Sequence, residues 1–234
     1  MTQTYSRNIT FKDYISKTMS TMGIGLGISA LTAILLNAIN FENILYSLGG
    51  VSVILVLGMA IAEIGIGVYF STRLFKMSKQ TAWVCYIVYC VLTGVTLSSL
   101  LSFYTTGSVM MAFVTTAVLF VCMSIIGKTT NINLMSISTL LLTGLSAIII
   151  LSLLNSLLFH FAFIDMLISY LGVIIFLFMI AYDTQKLNAF YNAAVDSETS
   201  EKLMIMSAFQ LYLDFINLFI RVLEIFGRRS NDRD

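Results

Sequence analysis

The chain has 234 residues, of which 58% are hydrophobic and only 11% charged, and its mean hydropathy is +0.92. That much apolar surface excludes a soluble globular protein and marks an integral membrane protein. Thirteen basic and twelve acidic residues leave a formal net charge of +1, and no basic run interleaved with aromatics is present to bind nucleic acid.

At roughly 20 residues per crossing, the length accommodates about seven helices in a single domain, residues 1–234, with no soluble enzyme domain appended. Residues 1–17 are polar and form the segment before the first crossing, 18–40, which is too long for a signal-peptide core and is expected to stay in the mature protein. Within it, Gly23, Gly25 and Gly27 read as small-residue helix packing rather than a nucleotide fingerprint, because no strand precedes them. The second crossing, 48–70, is interrupted by Glu63. The uncharged stretch 80–127 is too long for one helix and must fold back at Tyr104-Thr105-Thr106-Gly107-Ser108, the only turn chemistry in it. Residues 134–158 make the fifth crossing, 164–181 the sixth, opening with Asp165, and 203–226 the seventh. A polar tail, 227–234, follows. Cys85, Cys90 and Cys122 fall inside apolar spans and read as small buried hydrophobes, and the single histidine, His160, lies in a connection.

Lysine and arginine near helix ends set orientation, because cytoplasmic loops carry the excess. Arg7, Lys12 and Lys17 precede the first helix, Arg73, Lys76 and Lys79 join the second and third, Lys128 the fourth and fifth, and Lys186 and Lys202 the sixth and seventh. The connections around Glu42, Gly107 and His160 carry no basic residue, so the N-terminus is expected inside. A seventh crossing puts Arg228, Arg229 and Arg233 outside, against the rule. Length still favours the crossing, since 203–226 spans about 36 Å.

The costly residues are Asp183, at the end of the sixth crossing, and Asp214, in the middle of the seventh. A carboxylate at membrane depth faces protein or water and is a functional candidate by default. Ser207, Gln210, Asp214, Asn217, Arg221 and Glu224 recur at spacings of three and four, which lines them along one face of the seventh helix. Such a lane points inward, so this helix is expected to be the most enclosed. Its plainer reading is a hydrogen-bond ladder holding the bundle together. Asp183 and Asp214 are fifteen to sixteen residues from the middle of the 195–202 turn, where Asp196, Ser197 and Thr199 are N-cap candidates. Two antiparallel helices joined there bring both carboxyls to one depth, provided the sixth helix continues to about Phe190. Two carboxyls that close share a proton and respond to pH. Glu63, about 15 Å from Arg73 along the second helix, is a third acidic candidate, or else a partner for a buried cation or hydroxyl.

The stretches Ala181-Tyr182-Asp183-Thr184-Gln185-Lys186-Leu187 and Leu211-Tyr212-Leu213-Asp214-Phe215-Ile216-Asn217-Leu218-Phe219 resemble the two signature segments of the Bax inhibitor-1 family and its bacterial relatives. Gly94-Val95-Thr96-Leu97-Ser98-Ser99 and Gly127-Lys128-Thr129-Thr130-Asn131-Ile132-Asn133-Leu134 fit at corresponding places, so the resemblance covers nearly the whole chain. It implies an all-α integral membrane fold in which six transmembrane helices form two layers of three around a central, C-terminal seventh. It also implies a passive, pH-sensitive calcium leak, with Asp183 and Asp214 as sensor and gate and Arg73 as the latch that pairs with them. Glu63, Gln210, Asn217 and Arg221 are then the candidates that line the pore. Calcium prefers hard oxygen ligands, so Asp183, Asp214 and Glu63 are its expected transient contacts.

Two rivals use the same pair. An intramembrane aspartyl protease needs Gly-x-Gly-Asp at the second site and a downstream Pro-Ala-Leu, whereas Asp214 follows Leu211-Tyr212-Leu213 and the chain has no proline. A proton-coupled ion transporter is expected to show inverted repeats or broken helices, and neither is visible. The expectation is therefore a non-enzymatic protein with no cofactor and calcium as permeant ion. Its surroundings are the lipid bilayer, calcium and protons; the minimal loops suit a bacterial plasma membrane, and no protein partner can be read from the chain.

Overall fold

The computed structural model describes residues 9–227; the basic residues Arg7, Arg228, Arg229 and Arg233, on which part of the orientation argument rests, lie outside them. The described chain is helical from end to end: α1 (Phe11–Ala38), a short α2 (Phe41–Ser47), α3 (Gly50–Arg73), α4 (Lys79–Leu101), α5 (Thr106–Thr129), α6 (Ser138–Leu154), α7 (Ala162–Ala193) and α8 (Ser197–Phe226). Seven of them are long and apolar enough to cross a membrane. Large apolar side chains such as Ile54, Met111 and Leu140 stand exposed on them, as lipid-facing residues do.

Local chemistry sets the boundaries. Thr10 and Asp13 form a reciprocal capping box that starts α1 seven residues before the apolar run begins. Ser78 caps α4 through the Thr81 N–H, and Thr105, in the expected turn, caps α5 through the Ser108 N–H. Asp196 accepts the Thr199 N–H at 2.7 Å and starts α8 at Ser197. That is six residues earlier than the hydropathy of 203–226 indicates, because Ser197, Glu198, Glu201 and Lys202 are polar yet helical. α7 runs unbroken through Tyr182 and past Phe190, as the aspartate pair requires.

Two compact units are distinguished. The first combines the chain up to Phe103 with Phe190–Tyr212, and the second combines Tyr104–Ala189 with the chain from Leu213 on, so α8 contributes to both. In the first unit, neutral hydroxyls join the helices. The Tyr14 and Ser207 hydroxyls lie 3.1 Å apart, Tyr86 donates to the Thr21 carbonyl at 2.9 Å, and Ser29 lies 2.7 Å from both the Cys90 carbonyl and the Tyr212 hydroxyl. Phe209 packs edge-on against Phe70 and Tyr89, with ring centroids 5.0 and 4.9 Å away. Gly25 makes room for Tyr86, since a Cβ there would overlap the phenol oxygen.

In the second unit, Phe113 and Phe120 of α5 pack on Phe215 of α8 at 5.6 and 5.7 Å. Gly127 of α5 meets α7 so closely that a Cβ would overlap the Ala181 carbonyl oxygen. Gln185 mimics a backbone partner for the α5–α6 connection, accepting the Leu134 N–H at 2.8 Å and donating to the Ile132 carbonyl at 2.9 Å. At the end of α6 the helix widens into a π turn, Asn155–Phe159, closed by left-handed His160 at φ 53°.

Enclosure is uneven. Of the α8 span 72% is buried, against at most 33% of any other, so the helix carrying the polar lane is the enclosed one, as its sequence required. The cysteines differ from expectation: Cys90 is buried, Cys85 is half-buried and Cys122 is exposed. A small thiol costs little against lipid, so an apolar span does not force it inward.

Candidate functional site

Helix continuity brings Asp183 and Asp214 together. Both belong to the second unit, are 5% and 3% exposed, and their carboxyls lie side by side, close enough to interact directly. The route differs from the equal count: the turn is residues 194–196, so Asp183 lies ten residues from the end of α7 and Asp214 seventeen from the start of α8. The earlier start of α8, fixed by the Asp196 cap, makes the difference.

An ionised carboxylate has no proton to donate, so two carboxyls this close hydrogen-bond to each other only when one of them carries a proton. Each group leaves one oxygen, Asp183 Oδ1 and Asp214 Oδ2, buried and without a hydrogen-bond partner. Lys186, one turn beyond Asp183, places its Nζ 3.8 Å from Asp183 Oδ1 and 5.5 Å above the Tyr182 ring. At that distance it is an ion-pair partner, longer than a hydrogen bond. The pair is therefore two acids with one cation beside them, in a dry surrounding where charge is costly.

The other candidates fall as follows. Arg73 forms the last turn of α3, in the first unit. Glu63 is half-buried on α3 and accepts the Thr96 hydroxyl at 3.1 Å, which is the hydroxyl partner the plainer reading offered. On α8, Ser207 is buried and donates to Leu203 O at 2.8 Å, and Asn217 donates to Leu213 O at 2.8 Å. Asn217 thus satisfies its amide on its own helix, whereas Ser207 also reaches the Tyr14 hydroxyl of α1 and is a rung between helices. Gln210 and Arg221 are half-buried and Glu224, at the far end of the lane, is exposed. Arg221 Nη1 donates to Glu224 Oε2 at 2.8 Å, and the Ser169 hydroxyl of α7 donates to the same oxygen at 2.7 Å.

Lys186 is the residue that sequence reasoning used only for orientation. Its spacing of three from Asp183 was the available signal. The Ser169–Glu224 contact and the Asn155–Asp165 contact left no signal beyond polar residues in apolar runs. Among the described residues, no three of His, Cys, Asp and Glu gather as a metal-holding group.

A family model described as inhibitor of apoptosis-promoting Bax1 matches residues 11–231. An uncharacterized protein of Borreliella burgdorferi is 37% identical over 226 residues, covering 94% of this chain and 93% of that one. An uncharacterized protein of Rickettsia prowazekii is 35% identical over 235 residues, covering 97% and 96%. The inner membrane protein YbhL of Escherichia coli is 38% identical over 178 residues, covering 75% and 76%.

Proposed function

Because the chain belongs to the Bax inhibitor-1 family, we propose that it is a passive, pH-sensitive calcium leak channel of a bacterial inner membrane, not an enzyme, with the N-terminus cytoplasmic. One observation carries the reading: two buried carboxyls on adjacent spans lie side by side, and Asp183 Oδ1 and Asp214 Oδ2 accept no hydrogen bond. A shared proton holds α7 to α8. When the protonation state changes, the mutual bond is lost and carboxylate oxygens become available to a hard cation.

Lys186 supplies the local counter-charge. The inner-membrane location follows the description of YbhL. Calcium flux into proteoliposomes, measured against pH, tests the reading. Wild type is expected to leak in a pH-dependent way, and Asp183→Asn and Asp214→Asn are expected to lose that dependence. If both variants leak with the wild-type pH profile, the sensor assignment is wrong. Calcium accumulation against its gradient, driven by a proton gradient, would replace the channel with a proton-coupled transporter.

A further inference from the structure

Farther along α8, in the same unit as the aspartates, a second charged group is built with more support than a stray ion pair needs. Arg221 lies seven residues from Asp214, two turns on, and so shares its face. Gly172 of α7 gives the arginine stem its place: a Cβ there would sit 3.1 Å from Arg221 Cγ and Cδ and 3.2 Å from Nε. The guanidinium is thus held along α7 instead of reaching out into lipid. Glu224 Oε2 receives both Arg221 Nη1 and the Ser169 hydroxyl. Ser169 also lies 2.9 Å from the Asp165 carbonyl, and the Asp165 carboxylate accepts Asn155 Nδ2 at 2.6 Å. Asn155 is fixed in turn by the Phe161 N–H and carbonyl, both at 3.1 Å, where α6 widens into its π turn. Glu224 is therefore anchored to the α6–α7 hairpin, and it cancels the charge of an arginine that the polar lane must pass.

We propose that Arg221 and Glu224 form a charge-balanced filter at the far end of the lane, in which the arginine opposes cations and the glutamate, held by Ser169, sets how strongly it does so. This rests on the leak reading above. An arginine in a cation path is a barrier, and a neutralised arginine is a low one. The two residues therefore have opposite effects on calcium flux, which a purely structural ion pair does not predict.

The test is calcium flux into proteoliposomes at a pH where wild type leaks, using Arg221→Gln, Glu224→Gln, the double variant and Arg221→Lys, each checked for a monodisperse detergent-extracted form. Arg221→Gln raises flux and Glu224→Gln lowers it, each on the order of tenfold, the effect of one unit charge acting over about 10 Å at an effective dielectric constant of about 20. The double variant returns toward wild type, and Arg221→Lys stays near it. If Arg221→Gln is not recovered folded, Glu224→Gln carries the test alone, because it keeps the arginine stem on Gly172. Flux that is unchanged, or that moves in the same direction in both single variants, overturns the filter while leaving the leak reading intact. A wild-type protein that passes no calcium at any pH overturns both.

Discussion

The two units of this chain solve the problem of polar groups in a membrane in opposite ways. The first joins its helices mainly through hydroxyls that find partners, Tyr14 with Ser207, Ser29 with Tyr212 and Tyr86 with the Thr21 carbonyl, and Glu63 of α3 accepts the Thr96 hydroxyl. Among its described residues, the buried side-chain atoms without a hydrogen bond are the hydroxyls of Thr93 and Ser98. The second unit likewise leaves the hydroxyls of Thr116, Ser124 and Thr184 without a hydrogen bond, but it also buries two acids against each other, with a lysine 3.8 Å from Asp183 and no hydrogen bond to Asp183 Oδ1 or Asp214 Oδ2. A hydroxyl without a partner costs little compared with a carboxylate in the same place. The contrast separates a unit whose buried groups are mostly hydroxyls from a unit that buries two acids together, the feature on which the proposed sensor rests.

The sharpest way to break this contrast is through pH. Asp214→Asn is expected to abolish the pH dependence of calcium flux, while Tyr86→Phe, in the first unit, leaves it at the wild-type profile. A pH response lost in Tyr86→Phe would erase the division of labour. Next in size is Gly127→Val, whose side chain would run into the Ala181 carbonyl. A loss of about 3 kcal/mol in thermal or denaturant stability is expected, with Gly27→Val, which meets nothing within 4 Å, as the silent control. Ser29→Ala removes a hydroxyl that serves both Cys90 and Tyr212. It should cost about 1 kcal/mol with no change in the pH profile.

The smallest effect sits at Asp196, between the two long helices. The Thr199 N–H and then the Thr199 hydroxyl, both donating to the carboxylate, hold it below its ordinary range. A group whose folded pKa is lowered stabilises the protein above the unfolded value and loses that contribution as pH falls through the folded one. The melting-temperature difference between wild type and Asp196→Ala should therefore be small at neutral pH and vanish in acid below the ordinary aspartate value. This fully exposed carboxylate titrates too low to imitate a sensor working near neutrality.

Much of the fold was legible because lipid demands long apolar runs, and the seven spans follow those runs closely. What escaped was set by short-range polar chemistry. α2 is only seven residues long and lies in a connection. The first turns of α8 are charged, so their helicity came from the Asp196 cap rather than from hydropathy. At the site, the aspartates announced themselves by their cost. Lys186 did not, because a lysine near a helix end already had an explanation as an orientation signal. The Glu224 anchor was hidden for another reason: its partner Ser169 and the Asn155 clasp behind it are neutral residues on other helices, and spacing along one helix cannot reveal them.

The length of α8 carries a consequence for membrane voltage. Thirty residues extend about 45 Å, and a hydrocarbon layer of about 30 Å leaves about 15 Å of helix outside it. With that surplus taken at the end bearing Glu198, Glu201 and Lys202, Asp214 lies about 26 Å from the start of the helix and about 10 Å below the hydrocarbon surface. A proton reaching the pair from that side crosses about a third of the transmembrane field, worth about 0.8 kcal/mol for each 100 mV. On the proposed sensor reading, protonation of Asp183 and Asp214 is thereby tied to the electrical state of the membrane as well as to the acidity of the water beside it.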